Sequence, residues 1–208
     1  MTNVLIVEDS RIQCDSIAQR LSDSGDFNVY MTIENAANAE ILCMSGKIDL
    51  ILMDICTADD ESGIKAAKKI KERYPGIKII LMTSMPEHSF IEKTIESKCE
   101  GFWYKEFGDT RLVDICRKIM TGEKLFPEST PNVKVGVAES NEFSHREFQV
   151  IRELASGKTY GEIAENLNIS ENTVKFHVKN ILSKTGFKNT VQLVSEVVEK
   201  RLVLPSIR

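Results

Sequence analysis

The chain has 208 residues, of which 42% are hydrophobic and 28% are charged, as is ordinary for a globular protein. This length exceeds the usual single domain and predicts two domains, each able to bury its own core. The sequence has no run of about 18 apolar residues and no signal-like start, so neither a membrane span nor export is expected. Its five cysteines are scattered without metal-ligand spacing, which indicates reduced thiols in a cytoplasmic protein.

The charge is distributed unevenly along the chain, whose formal net charge is −4. Residues 1–140 carry 17 basic and 23 acidic side chains, whereas residues 141–208 carry 10 basic and 8 acidic ones. The C-terminal part therefore has a small positive excess and is the better candidate to bind a polyanion.

Residues 1–122 alternate between apolar runs, which predict strands, and amphipathic stretches, which predict helices. Ile12, Ile17 and Leu21 lie on the apolar face predicted for the first helix. The predicted strands cover residues 3–7, 27–32, 49–54, 77–82 and 101–104, and the predicted helices cover residues 10–24, 35–45, 63–74, 86–98 and 109–120. Five strand-helix units predict a doubly wound α/β fold with a five-stranded parallel sheet.

Two of the predicted strands end in carboxylates. The third strand closes on Asp54, and the first is followed by Glu8 and Asp9. Ligands bind at the carboxyl ends of strands in open α/β sheets, so these side chains should converge in one pocket, where like charges repel. Clustered carboxylates suit Mg²⁺. The alternatives are that Asp54 is an ordinary loop residue and that Glu8 or Asp9 caps the helix starting near Ser10.

Two further strands end in polar groups. The fourth ends at Thr83, which supplies a hydroxyl, and the fifth ends before Lys105, which supplies an ammonium. Taken singly, Thr83 could be a turn hydroxyl and Lys105 a surface charge. Together with the carboxylates they predict a phosphoryl site, in which Asp54 attacks in line and carries the phosphoryl group while the metal and Lys105 neutralise its oxygens.

Residues 1 to about 122 resemble the receiver domain of two-component response regulators. The resemblance is carried by Glu8-Asp9, Asp54, Thr83 and Lys105. It implies that Asp54 is the phosphoacceptor and takes its phosphoryl group from a sensor histidine kinase. It also implies that Mg²⁺ is held by Glu8, Asp9, Asp54 and the backbone carbonyl of Cys56.

The same resemblance implies that Thr83 and Phe102 shift inward together as a switch when phosphate binds. Core packing is the alternative role for Phe102. The chain departs from the family in residues 56–63, which have no proline, are one residue longer than usual and carry three acids. Glu106 also stands where proline or aspartate is frequent. Neither departure removes a residue required for the chemistry, so we expect phosphorylation to survive.

Residues 123–141 contain two prolines and Gly136 but no amphipathic stripe, which predicts an interdomain linker. An all-α domain is predicted for residues 142–208, with a capping box at Ser144 and Glu147. Its four predicted helices cover residues 144–156, 159–167, 171–184 and 190–200. The turn at residues 168–170 joins the second and third helices into a helix-turn-helix.

The third of these helices has two distinct faces. The core face is predicted to hold Val174, Val178, Ile181 and Leu182, and the other face holds Asn172, Lys175, Phe176, Lys179 and Ser183. Two lysines and an exposed phenylalanine fit a DNA major groove, where lysine reaches guanine or phosphate and an aromatic ring contacts a thymine methyl group. The alternative is a solvated face with one stray aromatic residue.

Residues 141 to about 203 resemble the LuxR-type DNA-binding domain. The matching stretches are Ser144-x-Arg146-Glu147, Gly157-Lys158-Thr159-x-x-Glu162-Ile163-Ala164, Leu167-x-Ile169-Ser170 and Thr173-Val174-Lys175-x-His177-Val178-x-Asn180-Ile181. This resemblance implies base contacts by Lys175, Phe176 and Lys179 and phosphate contacts by Thr159, Asn172 and Thr173. It also implies dimerisation through the fourth helix, and the two domains together resemble the NarL/FixJ class of response regulators.

The sequence thus predicts a cytoplasmic transcriptional regulator that is switched by aspartyl phosphorylation and is not an enzyme. Phosphorylation is expected to favour a homodimer on double-stranded promoter DNA, with inverted half-sites about 10 bp apart. One alternative is a phosphate-independent DNA-binding regulator whose receiver is a dimerisation module. A lower-ranked alternative is an aspartyl-phosphate hydrolase, in which the C-terminal half has no role.

Overall fold

The computed structural model describes residues 1–57, 62–86, 89–105, 112–200 and 202–203. Two compact units are present among the described residues. One contains residues 1–57, 62–83, 89–105 and 112–128, and the other contains residues 84–86, 129–200 and 202–203. Within the described ranges, no helix is long and apolar enough to span a membrane.

The first unit is a five-stranded parallel sheet in the order β2-β1-β3-β4-β5, with helices between its strands. The strands are β1 Thr2–Val7, β2 Phe27–Ile33, β3 Leu50–Asp54, β4 Lys78–Thr83 and β5 Gly101–Tyr104. The helices are α1 Arg11–Asp23, α2 Ala39–Cys43, α3 Gly63–Arg73, α4 Ser89–Glu96 and α5 Leu112–Met120. Every residue of the central strand β3 is buried, as expected for a strand covered on both faces. The predicted doubly wound sheet is confirmed.

One core of this unit joins α1 and α5 to a face of the sheet. The cluster includes Leu21 from α1, Trp103 from β5 and Cys116 from α5. The prediction for Ile12 was wrong, because this residue is 70% exposed. Ile12 lies five residues before Ile17 and is therefore about 140° away around the helix. The buried face of α1 consists instead of Cys14, Ile17 and Leu21.

The helix predicted at residues 35–45 is shorter in the structure. Ala36–Asn38 form a 3₁₀ turn, and only Ala39–Cys43 form the α-helix α2. The side chain of Asn35 accepts a hydrogen bond from the Ala37 amide and so caps this segment. The helices predicted at residues 86–98 and 109–120 are described as Ser89–Glu96 and Leu112–Met120. Residues 87–88 and 106–111, next to their predicted starts, lie outside the described residues.

The second unit contains a two-stranded antiparallel hairpin and four helices. The hairpin pairs β6 Lys134–Val135 with β7 Ala138–Glu139, and the helices are α6 His145–Ala155, α7 Tyr160–Asn166, α8 Glu171–Thr185 and α9 Thr190–Glu199. Residues 123–141, predicted as a linker, therefore include secondary structure. At their start, Leu125 belongs to the first unit and exchanges backbone hydrogen bonds with Glu100 and Phe102.

Side-chain caps define the starts of the helices in the second unit. Ser144 with Glu147 forms the predicted capping box of α6, and Thr159 with Glu162 forms a second capping box at α7. Ser170 caps α8 by accepting from the Thr173 amide. The turn between α7 and α8 is tight because one residue in it, Asn168, has a φ of +56°. These features produce the predicted helix-turn-helix.

Candidate functional site

The register of the parallel sheet brings the predicted carboxylates together. Val7 pairs with Met53 across β1 and β3, so the residues that follow them lie at one edge of the sheet. Candidate ligand oxygens of Glu8, Asp9 and Asp54 all lie within 4.8 Å of one another. Glu8 and Asp54 are buried, with 2% and 5% of their surfaces exposed. The pocket expected from the strand ends is therefore present.

Lys105 is directed into this pocket. Its Nζ lies 2.5 Å from Glu8 Oε2 and 3.0 Å from Asp54 Oδ2, and its side chain is only 5% exposed. The backbone positions it, because the Lys105 amide continues the β4–β5 pairing by donating to the Thr83 carbonyl at 3.0 Å. Lys105 is therefore not a surface charge. The other oxygen of Glu8 accepts from the Ser10 amide at 3.1 Å, so Glu8 also contributes to the start of α1.

The charges in the pocket do not balance. Burial, followed by repulsion from the Asp54 carboxylate, raises the pKa of Glu8 from 4.5 to about 7, although the Lys105 ammonium opposes this shift. Burial acts to lower the pKa of Lys105, but the Asp54 and Glu8 carboxylates outweigh burial and raise it. One ammonium thus faces several carboxylates. This donor set fits a hard divalent cation such as Mg²⁺, which prefers oxygen ligands.

The loop after Asp54 is held close to that residue. The Cys56 amide approaches Asp54 Oδ1 at 3.5 Å, and the Gly63 amide donates to the Ile55 carbonyl at 2.9 Å. A Cβ atom at Gly63 would lie 1.9 Å from the backbone oxygen of Asp54, so only glycine fits there. Sequence reasoning treated Gly63 as a helix start and missed this role. The acidic residues at which the chain departs from the family lie outside the described residues, namely Asp59, Asp60, Glu61 and Glu106.

Thr83 and Phe102 are both buried, with 1% and 3% of their surfaces exposed. Thr83 ends β4 and pairs in register with Tyr104. The rings of Phe102 and Tyr104 contact each other edge to face, with centroids 4.7 Å apart. Trp103 belongs to the core on the opposite face of the sheet. Phe102 therefore lies inside the fold, beside the strand that carries Thr83.

Helix α8 exposes much of the surface predicted to contact DNA. Lys175, Lys179 and Asn172 are exposed, and Phe176 is 60% exposed. Its opposite face is packed, since Val174, Val178 and Ile181 are buried and Leu182 is half-buried. The ring of Phe176 contacts the ring of His177 with centroids 5.8 Å apart. Lys175 forms an exposed ion pair with Glu171 at 2.8 Å.

Two of the predicted phosphate contacts are already engaged in helix caps. The Thr159 hydroxyl donates to Glu162 Oε2 at 2.7 Å, and the Thr173 hydroxyl lies 2.8 Å from the Ser170 hydroxyl. These two threonines therefore stabilise helix starts, whereas Asn172 and the α8 lysines present exposed polar groups.

An ion pair that sequence reasoning missed fastens α8 to α6. Lys184 Nζ lies 2.7 Å from both Glu147 Oε2 and the Glu142 carbonyl oxygen. Burial acts to raise the pKa of Glu147, but hydrogen bonds from Lys184 and Ser144 outweigh burial, so the pKa is lowered. The capping box at Ser144 signalled Glu147, but nothing local signalled its partner 37 residues away.

Comparisons with known proteins agree with this geometry. The family model of the response regulator receiver domain matches residues 4–117, and that of bacterial regulatory proteins of the luxR family matches residues 141–197. The oxygen regulatory protein NreC of Staphylococcus aureus is 27% identical, over 96% of this chain and 98% of that protein.

Solved structures show the same fold. The RcsB response regulator of Salmonella typhimurium superposes with a TM-score of 0.56 at 25% identity, covering 96% of this chain and 100% of that one. A LuxR-family response regulator from Aurantimonas has a TM-score of 0.57 at 20% identity, covering 63% of this chain and 91% of that one. The receiver-domain match alone spans more than half of the chain. The chain therefore belongs to the NarL/FixJ class of two-component response regulators, which are DNA-binding transcriptional regulators that join a receiver domain to a luxR-type helix-turn-helix domain.

Proposed function

We propose that Asp54 is the phosphoacceptor and that its phosphorylation by a sensor histidine kinase switches DNA binding in the cytoplasm. In the transfer, an Asp54 carboxylate oxygen attacks phosphorus, and the bond from phosphorus to the kinase histidine breaks. The observation that carries the proposal is the Lys105 ammonium held between the buried Glu8 and Asp54 carboxylates at the strand ends. An ammonium there can neutralise the phosphoryl oxygens as charge develops on them.

The other residues of the pocket take supporting roles in this proposal. Mg²⁺ would be held by Glu8, Asp9, Asp54 and the Cys56 carbonyl, and it would supply positive charge for the phosphoryl oxygens. The Thr83 hydroxyl donates to one of those oxygens, and Phe102 moves with Thr83 as the switch. The reaction is one transfer onto the protein's own side chain, so no enzymatic turnover is assigned.

The second unit supplies the output in this proposal. Lys175, Phe176 and Lys179 contact bases in the major groove, while Asn172, Thr173 and Thr159 lie along the phosphates. RcsB, which has the same fold, has been solved as dimers bound to DNA. A homodimer formed through α9 would bind inverted half-sites whose centres lie about 10 bp apart. The domain boundaries proposed from the sequence are 1–122 and 142–208 with residues 123–141 between them, whereas the compact units divide after residue 128.

The test compares wild type with Asp54→Asn in the presence of Mg²⁺ and a small-molecule phosphodonor. Phosphate incorporation, oligomer mass and affinity for promoter DNA are measured on the same samples. We expect the wild type alone to incorporate phosphate, to dimerise and to bind DNA more tightly. If the wild type stays unlabelled and both proteins bind DNA equally, the phosphate-independent regulator replaces this proposal.

The DNA-binding surface is tested separately by salt dependence. Lys179→Ala should weaken binding, alter the base preference and lower the slope of log affinity against log salt by about one, because one cationic contact is lost. Thr159→Ala is the comparison, since a neutral hydroxyl releases no counterion and its loss should leave that slope unchanged. An unchanged affinity and base preference for Lys179→Ala would show that α8 is not the recognition helix.

A further inference from the structure

Thr57 stands in the loop after Asp54, where this chain lacks the methionine and proline that resemblance to the family leads one to expect. Its side chain is buried, with 4% of the residue exposed. The Thr57 hydroxyl accepts a hydrogen bond from the backbone amide of Ala36 at 3.1 Å. The bond joins two segments that are 21 residues apart in the chain, namely the loop after β3 and the segment after β2. Methionine is a weak acceptor and could not replace this hydroxyl.

The amide of Ala36 needs a partner from outside its own segment. Ala36 begins the 3₁₀ turn that precedes α2, and first-turn amides have no partner within a helix. The Asn35 side chain takes the next amide, that of Ala37, at 2.8 Å. Since Ala36 is only 1% exposed, water does not readily replace the Thr57 hydroxyl, and losing it would leave a buried donor unsatisfied.

On its other side, Thr57 adjoins the peptide that faces the phosphoryl site. The preceding residue, Cys56, directs its amide toward Asp54 Oδ1 at 3.5 Å, and its carbonyl is the proposed backbone ligand for Mg²⁺. An antiparallel bridge between Cys56 and Ser62 holds the far side of the loop. Without a proline after it to fix a backbone angle, the Cys56–Thr57 segment depends on such bonds for its conformation.

We infer that Thr57 is a positioning residue that holds the Cys56 peptide in place for the cation and the phosphoryl group. This inference rests on the proposed function of Asp54. The hydroxyl ties the ligand-bearing loop to the start of the α2 segment, so the Cys56 carbonyl is oriented before the cation arrives. Removing a hydrogen bond that orients a metal ligand typically lowers metal affinity by about 10-fold to 100-fold.

The hydrogen bond between Thr57 and Ala36 can be removed by substituting either residue. Thr57→Val keeps the side-chain shape but has no hydroxyl, and Thr57→Ser keeps the hydroxyl. Ala36→Pro removes the donor without changing an atom of the loop, and proline suits this position because Asn35 before it is extended and Ala36 is the first residue of the turn. Thr94→Val is the matched control, because the buried Thr94 hydroxyl donates to the Phe90 carbonyl at 2.6 Å within α4.

The first measurement is binding of Mn²⁺ alone, used as a probe for the magnesium site and followed by loss of the free-ion electron paramagnetic resonance signal. The second is phosphate incorporation at limiting and at saturating Mg²⁺. We expect Thr57→Val and Ala36→Pro each to weaken Mn²⁺ binding by about tenfold, with Thr57→Ser within about twofold of wild type. The double variant should be no weaker than either single one, because both remove the same bond. Saturating Mg²⁺ should restore most of the labelling.

The possible results separate the two proposals. If the wild type binds Mn²⁺ and is labelled at Asp54 while Thr57→Val and Ala36→Pro behave like wild type, Thr57 has no positioning role and the phosphoacceptor assignment stands. If Thr94→Val loses as much Mn²⁺ affinity as Thr57→Val, the loss comes from lower stability of the fold and not from the Cys56 peptide, and the inference is overturned. If the wild type neither binds Mn²⁺ nor accepts phosphate, the proposed function fails and the inference fails with it. Should Thr57→Val not fold, Ala36→Pro decides between these results.

Discussion

Substitution of Glu8 by glutamine should make the free energy of unfolding of the receiver unit depend less on pH. Glu8 is 2% exposed, and its pKa is raised from 4.5 to about 7, first by burial and then by the Asp54 carboxylate. A carboxyl group whose pKa is higher in the folded than in the unfolded state stabilises the fold below the unfolded pKa. That stabilisation is lost as the pH rises through the folded pKa of about 7. Glutamine imitates the protonated form at every pH.

The size of the effect follows from the two pKa values. Each unit of difference corresponds to about 1.4 kcal/mol, so the free energy of unfolding that Glu8 contributes should fall by about 2–3 kcal/mol between pH 5 and pH 8. The advantage of Glu8→Gln over wild type in the absence of metal should grow by this amount over the same interval. Mg²⁺ at pH 8 should then stabilise the wild type but not Glu8→Gln, because it binds the ionised cluster of the folded state.

Urea unfolding in the presence of a chelator measures these differences. Trp103 is the single tryptophan of the chain and lies in the core of the first unit, so its fluorescence reports on that unit alone. Glu123→Gln, which removes an exposed carboxylate from the same unit, should differ from wild type by less than about 0.5 kcal/mol at either pH. If the difference between Glu8→Gln and wild type is the same at pH 5 and pH 8, Glu8 does not titrate as argued.

Three further predictions follow from close contacts and charges. Gly63→Ala should destabilise the first unit by about 1–3 kcal/mol, measured by Trp103 fluorescence, because its Cβ would lie 1.9 Å from a backbone oxygen of β3. Gly136→Ala should destabilise the second unit by a similar amount in thermal unfolding followed by circular dichroism, because its φ is +61° and its Cβ would lie 2.1 Å from a backbone oxygen at the end of α8. Glu171→Gln should tighten DNA binding about twofold in a binding titration, because it releases Lys175 from an exposed ion pair and removes a negative charge from the DNA-facing helix.

Matched controls are available for each of these variants. A Cβ at Gly76 in the first unit or at Gly161 in the second would meet nothing within 4 Å, so alanine at either position should not destabilise the protein. Glu123→Gln removes an exposed acid outside the DNA-binding unit and should leave DNA affinity unchanged. If Gly63→Ala or Gly136→Ala is as stable as its control, the neighbouring backbone shifts at little cost to make room for the added Cβ. Weaker DNA binding by Glu171→Gln would show that its ion pair with Lys175 helps rather than hinders binding.

The pocket was predictable because the functional residues of a parallel sheet lie at the carboxyl ends of its strands, where the apolar runs of the sequence end. The run predicted at residues 49–54 ends on Asp54, as does the observed strand Leu50–Asp54. Once the strands are parallel and adjacent, their following residues must meet, and this placed Glu8 beside Asp54 and Lys105. Lys105 lies 97 residues from Glu8 in sequence, and their convergence was predicted because each follows the end of a strand.

The parts that sequence missed depend on contacts without a local pattern. The bond between Thr57 and Ala36 joins two loops, and neither residue type signals the other. The pairing of β1 with β2 shifts register after Val4, so Tyr30 is an extra residue with no partner in β1. Beyond Tyr30, each residue of β2 therefore faces the opposite side of the sheet from the one that simple alternation would predict. Ile41 is 67% exposed despite its place in an amphipathic stretch, because α2 buries Ala39 and Cys43, and Ile41, two residues from each, lies on the opposite side of the helix.

The opposite edge of the sheet carries a second buried ion pair, which shows how a structural cluster differs from a functional one. Lys71 Nζ lies 2.7 Å from Glu100 Oε1 and also donates to the carbonyls of Pro75 and Ile77 at 3.1 and 2.9 Å. The other oxygen of Glu100 accepts from the Ile79 amide at 3.0 Å. The buried ammonium therefore has three acceptors, and both carboxylate oxygens are engaged.

Charge balance separates the two clusters. At the Lys71 cluster one ammonium meets one carboxylate, with Lys78 3.6 Å from the same oxygen, so nothing further is required to neutralise Glu100. At the Lys105 cluster one ammonium meets both Glu8 and Asp54, with Asp9 nearby, and burial together with the Asp54 carboxylate raises the pKa of Glu8. A buried excess of charge costs free energy unless a counter-ion arrives. The first cluster therefore needs only the fold, whereas the second favours a bound cation, and a cation is what a phosphoryl group needs there.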